Sequence, residues 1–209
     1  MYDIIGLVGF KGCGKDTAAA GLIRRQDYTT IAFADPIKDC LSAIFCWDRD
    51  MLEGTTPRSR RWRETVDPWW ANELGITDFT PRWAMTHFGT DLMRDQFCPK
   101  IWIINTNRRL DLRRAQGEKV IIKDCRFSNE IDAIRARRGV IARVRRGPDP
   151  AWMSIAREAN AGCAVARKTM ASFDVHESEW AWIGSEIDFN IDNDGTIVEL
   201  DREVERLFG

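Results

Sequence analysis

The segment Gly9-Phe10-Lys11-Gly12-Cys13-Gly14-Lys15-Asp16-Thr17 fits the spacing G-x-x-x-x-G-K with one departure. Asp16 stands where Ser or Thr is usual, and Thr17 follows one place later. Residues of these types can hold a triphosphate. Glycines let the backbone fold close around phosphate oxygens, and successive N–H groups turned inward make an anion nest. A helix that starts at the lysine adds partial positive charge, and Lys15 is spaced to reach the β- and γ-phosphates. Thr17 is expected to meet Mg²⁺ or a phosphate oxygen, and Asp16 to hold a Mg²⁺-bound water. Gly12, Cys13, Gly14, Lys15, Asp16 and Thr17 are therefore the nucleotide-binding candidates. The plainer alternative is a glycine-rich strand-to-helix turn without a ligand. The lysine, the glycines and the flanking strand and helix patterns together favour the cradle.

A second set of groups follows Val120-Ile121-Ile122-Lys123-Asp124, an apolar run that ends in an acid. Asp124 either presents a carboxylate to Mg²⁺ and its waters or simply ends its strand. The residues after it put Arg126 and Glu130 at the C-terminal edge of the sheet, where open α/β sheets bind ligands. Arginine outnumbers lysine 24 to 7, and its planar fork grips phosphate through two hydrogen bonds; a GC-rich genome explains the bias equally well. Arg143, Arg145 and Arg146 are either phosphate contacts or a solvated face. Arg157, Arg167 and Lys168 fall in a segment that reads as a lid, and Arg167 is the favoured cation over the transferring phosphoryl group. With only His87 and His176 in the chain, a histidine-based mechanism has little support. Phe88 and Trp102 read as core, whereas Trp152, in a polar stretch, is a candidate for stacking on a base.

The elements that must position these groups alternate between apolar runs and helical patterns. This predicts an α/β fold with a largely parallel sheet. Strands are expected at Ile4–Phe10, Thr30–Ala34, Lys119–Asp124, Val140–Val144 and Ile187–Ile191. Helices are expected at Lys15–Arg25, from Asp35-Pro36 (cap, then proline) to about Phe45, from Thr80-Pro81 to about Phe97, over Lys100–Ala115, and from about Ser128. In the last helix Thr196 and Glu199 fit a capping box. Residues 47–80 read as polar and irregular, rich in Trp and Arg. Residues 147–180 carry no strand signal. No repeat or low-complexity tract is seen.

The 209 residues suit one domain with a mobile insertion. A formal net charge of -1 gives no bulk pull toward nucleic acid or membrane. The six cysteines are scattered with no C-x-x-C pair, so zinc-site spacing is absent. Asp3 interrupts the first apolar stretch, which argues against a signal peptide, and no apolar run approaches the ~18 residues of a membrane span. These features predict a cytoplasmic protein with reduced thiols.

Several segments, in order along nearly the whole chain, resemble the deoxynucleoside monophosphate kinases of tailed bacteriophages. They are Gly12-Cys13-Gly14-Lys15-Asp16-Thr17, Phe33-Ala34-Asp35-Pro36-Ile37-Lys38, Phe88-Gly89-Thr90-Asp91 with Arg94 and Trp102 beyond, Asp124-Cys125-Arg126-Phe127-Ser128-Asn129-Glu130, His176-Glu177-Ser178-Glu179 and Asn193-Asp194-Gly195-Thr196. Cys13 and Cys125 depart from the residues usual there, and the Trp-rich 47–80 stretch bears on which base is accepted. The resemblance implies a P-loop three-layer sandwich in a single domain spanning 1–209, with an acceptor-binding insertion at about 36–115 and a lid at about 147–180. It implies transfer of the ATP γ-phosphoryl group, with Mg²⁺, to a deoxynucleoside 5′-monophosphate, supplying phage DNA precursors in the host cytoplasm. Lys15, Arg126 and Arg167 are then the catalytic cations. Asp16, Thr17 and Asp124 attend the metal. Asp35, Lys38, Arg94, Arg126, Glu130 and Trp152 face the acceptor, although Asp35 equally fits a helix cap. His176 and Glu179 line the lid hinge or make a structural hydrogen bond.

The expected partners are small molecules, with no nucleic acid and no membrane, and the sequence allows a homodimer. The acceptor phosphate has a second pKa near 6 and is largely ionised at pH 7, so no strong base is needed. Positioning and charge neutralisation are expected to dominate. The rival readings are another P-loop small-molecule kinase, acting on dephospho-coenzyme A or a sugar acid, and a non-catalytic nucleotide-binding protein. A signalling switch would carry N-K-x-D, which is absent.

Overall fold

A computed structural model describes residues 2–173 and 175–209, with only the backbone at positions 25 and 26. Five parallel strands form one sheet in the order β2-β3-β1-β4-β5, with β1 at Ile4–Val8, β2 at Tyr28–Ile31, β3 at Lys119–Ile122, β4 at Val140–Arg145 and β5 at Phe189–Asp192. The central strand β1 pairs Ile5 with Ile121 on one side and with Val140 on the other. All five of its residues are buried, as expected when helices cover both faces of a parallel sheet.

Helices α1 (Lys15–Gln26) and α11 (Ile197–Phe208) cover one face. Their Ala18, Leu22, Leu200, Val204 and Phe208 pack in one cluster with Ile5, Leu7 and Ile191. Helix α8 (Ser128–Arg135) covers the other face. Gly6 lets it approach: a Cβ there would stand 2.7 Å from the Cδ1 of Ile134 and 2.9 Å from that of Ile141. The predicted capping box of α11 is present, with Thr196 Oγ1 accepting from Glu199 N and Glu199 Oε2 accepting from Thr196 N at 2.7 Å.

Strand boundaries differ from the sequence reading for local reasons. β1 stops at Val8 because Gly9 turns to φ 142° and opens the loop. β2 begins at Tyr28, directly after the left-handed Asp27 that ends α1. β3 ends at Ile122, so Asp124 lies beyond the strand. β5 starts at Phe189, since the Asp188 carboxylate takes the Ile141 N–H in place of a ladder bond.

The chain divides into two compact units. One contains residues up to Ala32 together with Thr106–Gly209, and the other is Phe33–Asn105. In the second unit, 47–80 is helical and not irregular, which corrects the sequence reading. Here α3 (Arg49–Glu53), α4 (Pro57–Arg63) and α5 (Pro68–Leu74) follow α2 (Asp35–Phe45). Asp48, Thr56 and Asp67 cap the three short helices, and prolines open two of them. Their apolar faces close on an aromatic cluster. Trp47 stacks on Phe45 at 4.6 Å, Phe79 meets Phe45 at 5.2 Å, and the Trp47 Nε1–H is satisfied by Asp67 Oδ2 at 2.8 Å.

Helix α6 (Pro81–Thr86) passes directly into a π-helical stretch, His87–Phe97, before α7 (Ile101–Ala115). Phe88 packs against the aromatic cluster, and buried Trp102 donates Nε1–H to Gly89 O at 2.8 Å. Trp102 is a core residue and half-buried Phe88 packs on the core's edge, in line with the reading the sequence favoured. Among the described residues, no helix is long and apolar enough to cross a membrane. All six cysteines are free.

Candidate active site

The loop between β1 and α1 has the geometry that its glycines predict. Gly9, Gly12 and Gly14 take φ of 142°, 82° and 99°, a region that side chains with a Cβ adopt at a cost. At Gly14 a Cβ would run into the Asn193 side-chain amide. That amide is buried and donates Nδ2–H to Cys13 O at 2.8 Å, while Asn193 N donates to Arg145 O at 2.8 Å. Asn193, just past β5, thus buttresses the loop from behind. Its motif was visible in the sequence, but this role was not. Cys13 is buried behind the loop, and its Sγ would meet a Cβ at Gly9.

Lys15 opens α1 and curls over the loop, donating Nζ–H to Gly9 O at 2.7 Å and to Phe10 O at 3.1 Å. Its charge is therefore held along the rim of the cradle. Asp16 is exposed and Thr17 half-buried, both in the first turn of α1.

Phe10 is clamped from outside the loop. Trp152 meets it edge-on at 5.4 Å and Trp182 at 5.3 Å, while the Arg143 guanidinium lies 5.7 Å from the Phe10 ring and 5.2 Å from the Trp182 ring. Trp152, expected as a base-stacking group, packs on the loop itself. Arg143 is buried and ion-paired with Asp149. Arg145 lies 3.5 Å from Asp192.

Beyond β3, the turn at Arg126 is held by Glu130. This buried carboxylate accepts Arg126 N–H at 2.8 Å and Phe127 N–H at 3.2 Å through Oε2. Cys125, between Asp124 and Arg126, is fully buried. Burial, reinforced by the Glu130 and Asp124 charges, pushes its thiol far above the ordinary range, so it is an inert packing residue. The Arg126 guanidinium donates Nη1–H to Ser178 Oγ at 3.0 Å and to Glu179 Oε1 at 3.1 Å. The other oxygen of that carboxylate, Oε2, accepts the Lys11 N–H of the loop at 2.8 Å. Loop backbone and Arg126 therefore converge on a single carboxylate. Sequence reasoning placed Glu179 at a lid hinge or in a structural hydrogen bond without naming these partners, since 168 residues separate it from Lys11. His176 holds its own turn, accepting Ser178 N–H on Nδ1 at 3.2 Å.

The lid-like stretch folds as α9 (Met153–Asn160) and α10 (Ala164–Met170), followed by a 3₁₀ turn, Glu177–Glu179. Asn160 Nδ2 donates to Trp180 O and Ile183 O at 2.9 and 2.7 Å. Arg143, Arg157 and Arg167 line one cavity of about 720 Å³ together with Asn129, Asn160 and Trp182. The structure thus gathers three of the candidate arginines there, and the cavity lining includes neither Lys15 nor Arg126.

Asp35, Lys38 and Arg94 belong to the second unit. The residue capping α2 is Ala34, so Asp35 lies in the first turn and not at the cap. Its carboxylate stands 3.6 Å from Arg49 Nη2. Arg49 also meets Asp39 and Glu53, each at 2.6 Å, and the buried Lys38 ammonium meets Glu53 at 2.7 Å. Arg49 and Glu53 were not anticipated. Arg94 sits within the π-helical stretch. Among the described residues, no group of three or more His, Cys, Asp or Glu is gathered to hold a metal.

The chain is 34% identical over 152 residues to a protein of Acanthamoeba polyphaga mimivirus provisionally named a deoxynucleotide monophosphate kinase. The match spans 68% of this chain and 74% of that one. No family model matches. Solved structures with a similar overall path include dephospho-CoA kinase from Campylobacter jejuni (12% identity, 98% of this chain and 95% of that one, TM-score 0.48). Shikimate kinase from Bacteroides thetaiotaomicron is another (12% identity, 99% and 97% covered, TM-score 0.41). At these scores the overlaps carry no argument about what the chain acts on.

Proposed function

We propose that this chain, which belongs to the deoxynucleotide monophosphate kinase family, transfers the γ-phosphoryl group of ATP to a deoxynucleoside 5′-monophosphate. The observation that carries the reading is the convergence of the Lys11 N–H and the Arg126 guanidinium on one carboxylate, at 2.8 and 3.1 Å. Two groups that each grip phosphate stand one carboxylate apart. A donor phosphate on the loop and an acceptor phosphate on Arg126 would then be neighbours, as in-line transfer requires.

In this reading the loop N–H groups, the α1 N-terminus and Lys15 hold the triphosphate. Lys15 swings its ammonium from the Gly9 and Phe10 carbonyls onto phosphate oxygens. Arg126, aimed by Glu130, holds the acceptor phosphate. The bond from γ-phosphorus to the β–γ bridging oxygen breaks, and a bond forms to an acceptor phosphate oxygen that is already ionised at pH 7. No protein base is consumed, and ADP leaves with the electron pair. The donor set fits Mg²⁺ that arrives with the nucleotide: Thr17 and Asp16 on the first turn of α1 and Asp124 beyond β3 offer single oxygen ligands, and this ion takes its remaining ligands from phosphate and water. When bound, Mg²⁺ would neutralise charge on the transferring group. Arg157 and Arg167 are proposed to reach it from the lid. Asp35, Lys38 and Arg94 are carried as acceptor contacts by the family resemblance.

An ADP-release assay with a deoxynucleoside monophosphate acceptor tests the placement of Arg126. Arg126→Ala is expected to raise the acceptor KM at least tenfold while the ATP KM stays within about threefold, since one charged hydrogen-bond donor is worth about 1.5–3 kcal/mol. Equal acceptor KM values in the two proteins would remove Arg126 from the acceptor site.

A further inference from the structure

We infer that Glu179 is a gate on the triphosphate cradle, an internal carboxylate that occupies a phosphate's position on the loop and on Arg126 and must be displaced by the nucleotide. The inference rests on reading Gly9–Thr17 as the triphosphate loop. A carboxylate is a planar anion with two acceptor oxygens, and here each oxygen takes a different phosphate-gripping group. Oε2 accepts the exposed Lys11 N–H at 2.8 Å, and Oε1 accepts Arg126 Nη1–H at 3.1 Å.

The backbone beneath it is fixed. Glu179 N donates to His176 O at 2.9 Å, and Glu179 O accepts Trp182 Nε1–H at 2.9 Å, with the Trp182 ring packed on Phe10 of the loop. The side chain is 22% exposed, so it can turn outward into solvent while the backbone stays in place. A phosphate cannot share the Lys11 N–H with this carboxylate, because two anions at hydrogen-bond distance from one donor repel each other. Binding therefore includes the cost of evicting Glu179, and eviction releases Arg126 for a second phosphate. In this view Glu179 is no contact to the transferred group. It sets how tightly an anion must bind before Arg126 is freed.

The probe is inorganic tripolyphosphate, titrated calorimetrically into the full chain at fixed ionic strength. Glu179→Gln keeps the shape and removes the charge, and Glu179→Ala removes the competitor altogether. Both variants are expected to bind tripolyphosphate more tightly than wild type, by about tenfold. That is the lower end for a charge-assisted bond, because the carboxylate is partly exposed. A residue that merely braced the loop would give the opposite sign, since damage loosens a site and does not tighten it. If Glu179→Ala fails to fold, the near-isosteric Glu179→Gln carries the test alone. Unchanged or weaker affinity in the folded variants overturns the gate. Where wild type binds tripolyphosphate and Lys15→Ala does not, unchanged or weaker affinity in the Glu179 variants overturns the gate and leaves the triphosphate-loop reading standing. If wild type does not bind it at all, the triphosphate-loop reading falls with it.

Discussion

Replacing Glu130 with alanine removes the carboxylate that accepts the N–H groups of Arg126 at 2.8 Å and of Phe127 at 3.2 Å. The residue is 3% exposed, so water cannot enter freely to replace it. A hydrogen bond to an ionised acceptor contributes about 1.5–3 kcal/mol net, and two at the lower end give about 3 kcal/mol. Glu130 also lies in the first turn of α8, where a carboxylate favours the helix dipole by a few tenths of a kcal/mol. Glu130→Ala is therefore expected to lower the unfolding free energy by about 3 kcal/mol, a large share of the roughly 5–15 kcal/mol typical of a domain. Glu130→Gln keeps one acceptor oxygen and is expected to lose about 1 kcal/mol. Urea denaturation of the three proteins reads the midpoint at constant slope. The acceptor KM of the alanine variant should rise as well, because the backbone that aims Arg126 is no longer held. If Glu130→Ala unfolds within about 0.5 kcal/mol of wild type, the carboxylate does not hold this turn and the argument for how Arg126 is aimed is wrong.

Three further predictions follow from the same geometry. Lys15→Ala should leave the far-ultraviolet circular dichroism unchanged and lower turnover by about 10²–10³, the usual loss for one preorganised charge partner; turnover close to wild type would take Lys15 out of the mechanism. Gly14→Ala forces a Cβ onto the Asn193 amide at φ 99°, so the melting temperature should fall and ATP binding should weaken together; an unchanged melt would contradict the described loop. Tyr28 has its hydroxyl pushed up from 10.0 to about 12, chiefly by burial and then by the Asp3 charge. A raised folded-state pKa means that this contribution to stability is full below pH 10 and is lost as pH rises through 12. Tyr28→Phe should therefore flatten the fall in stability between those values, and parallel pH–stability curves would refute the assignment.

Much of this architecture can be read from the residues. The loop spacing places β1 and α1, alternating runs mark the strands, and Thr196 with Glu199 marks the start of α11. The failures have physical causes. Residues 47–80 show no helical period because helices of five to seven residues make barely two turns, and Pro57 and Pro68 each open one of them. The π-helical stretch His87–Phe97 has a repeat that a 3.6-residue pattern does not register. Asp35 looked like a cap because it precedes a proline, whereas its carboxylate faces Arg49, which only the fold of α3 brings near. Glu179 was underestimated for a related reason. Its partners, Lys11 and Arg126, come from distant parts of the chain, and neither spacing nor composition records that meeting. Trp152 was a stacking candidate because of its polar stretch, and that stretch does not record the edge-on contact its ring makes with Phe10.

The central claim is tested most directly by following radiolabel from γ-labelled ATP in the presence of each deoxynucleoside 5′-monophosphate, each matching ribonucleotide, dephospho-coenzyme A and a sugar acid, with product identified by chromatography. The account predicts labelled deoxynucleoside diphosphate with at least one deoxynucleotide, lost in Lys15→Ala. Label appearing only on dephospho-coenzyme A or the sugar acid, or only as free phosphate whatever the acceptor, would contradict it.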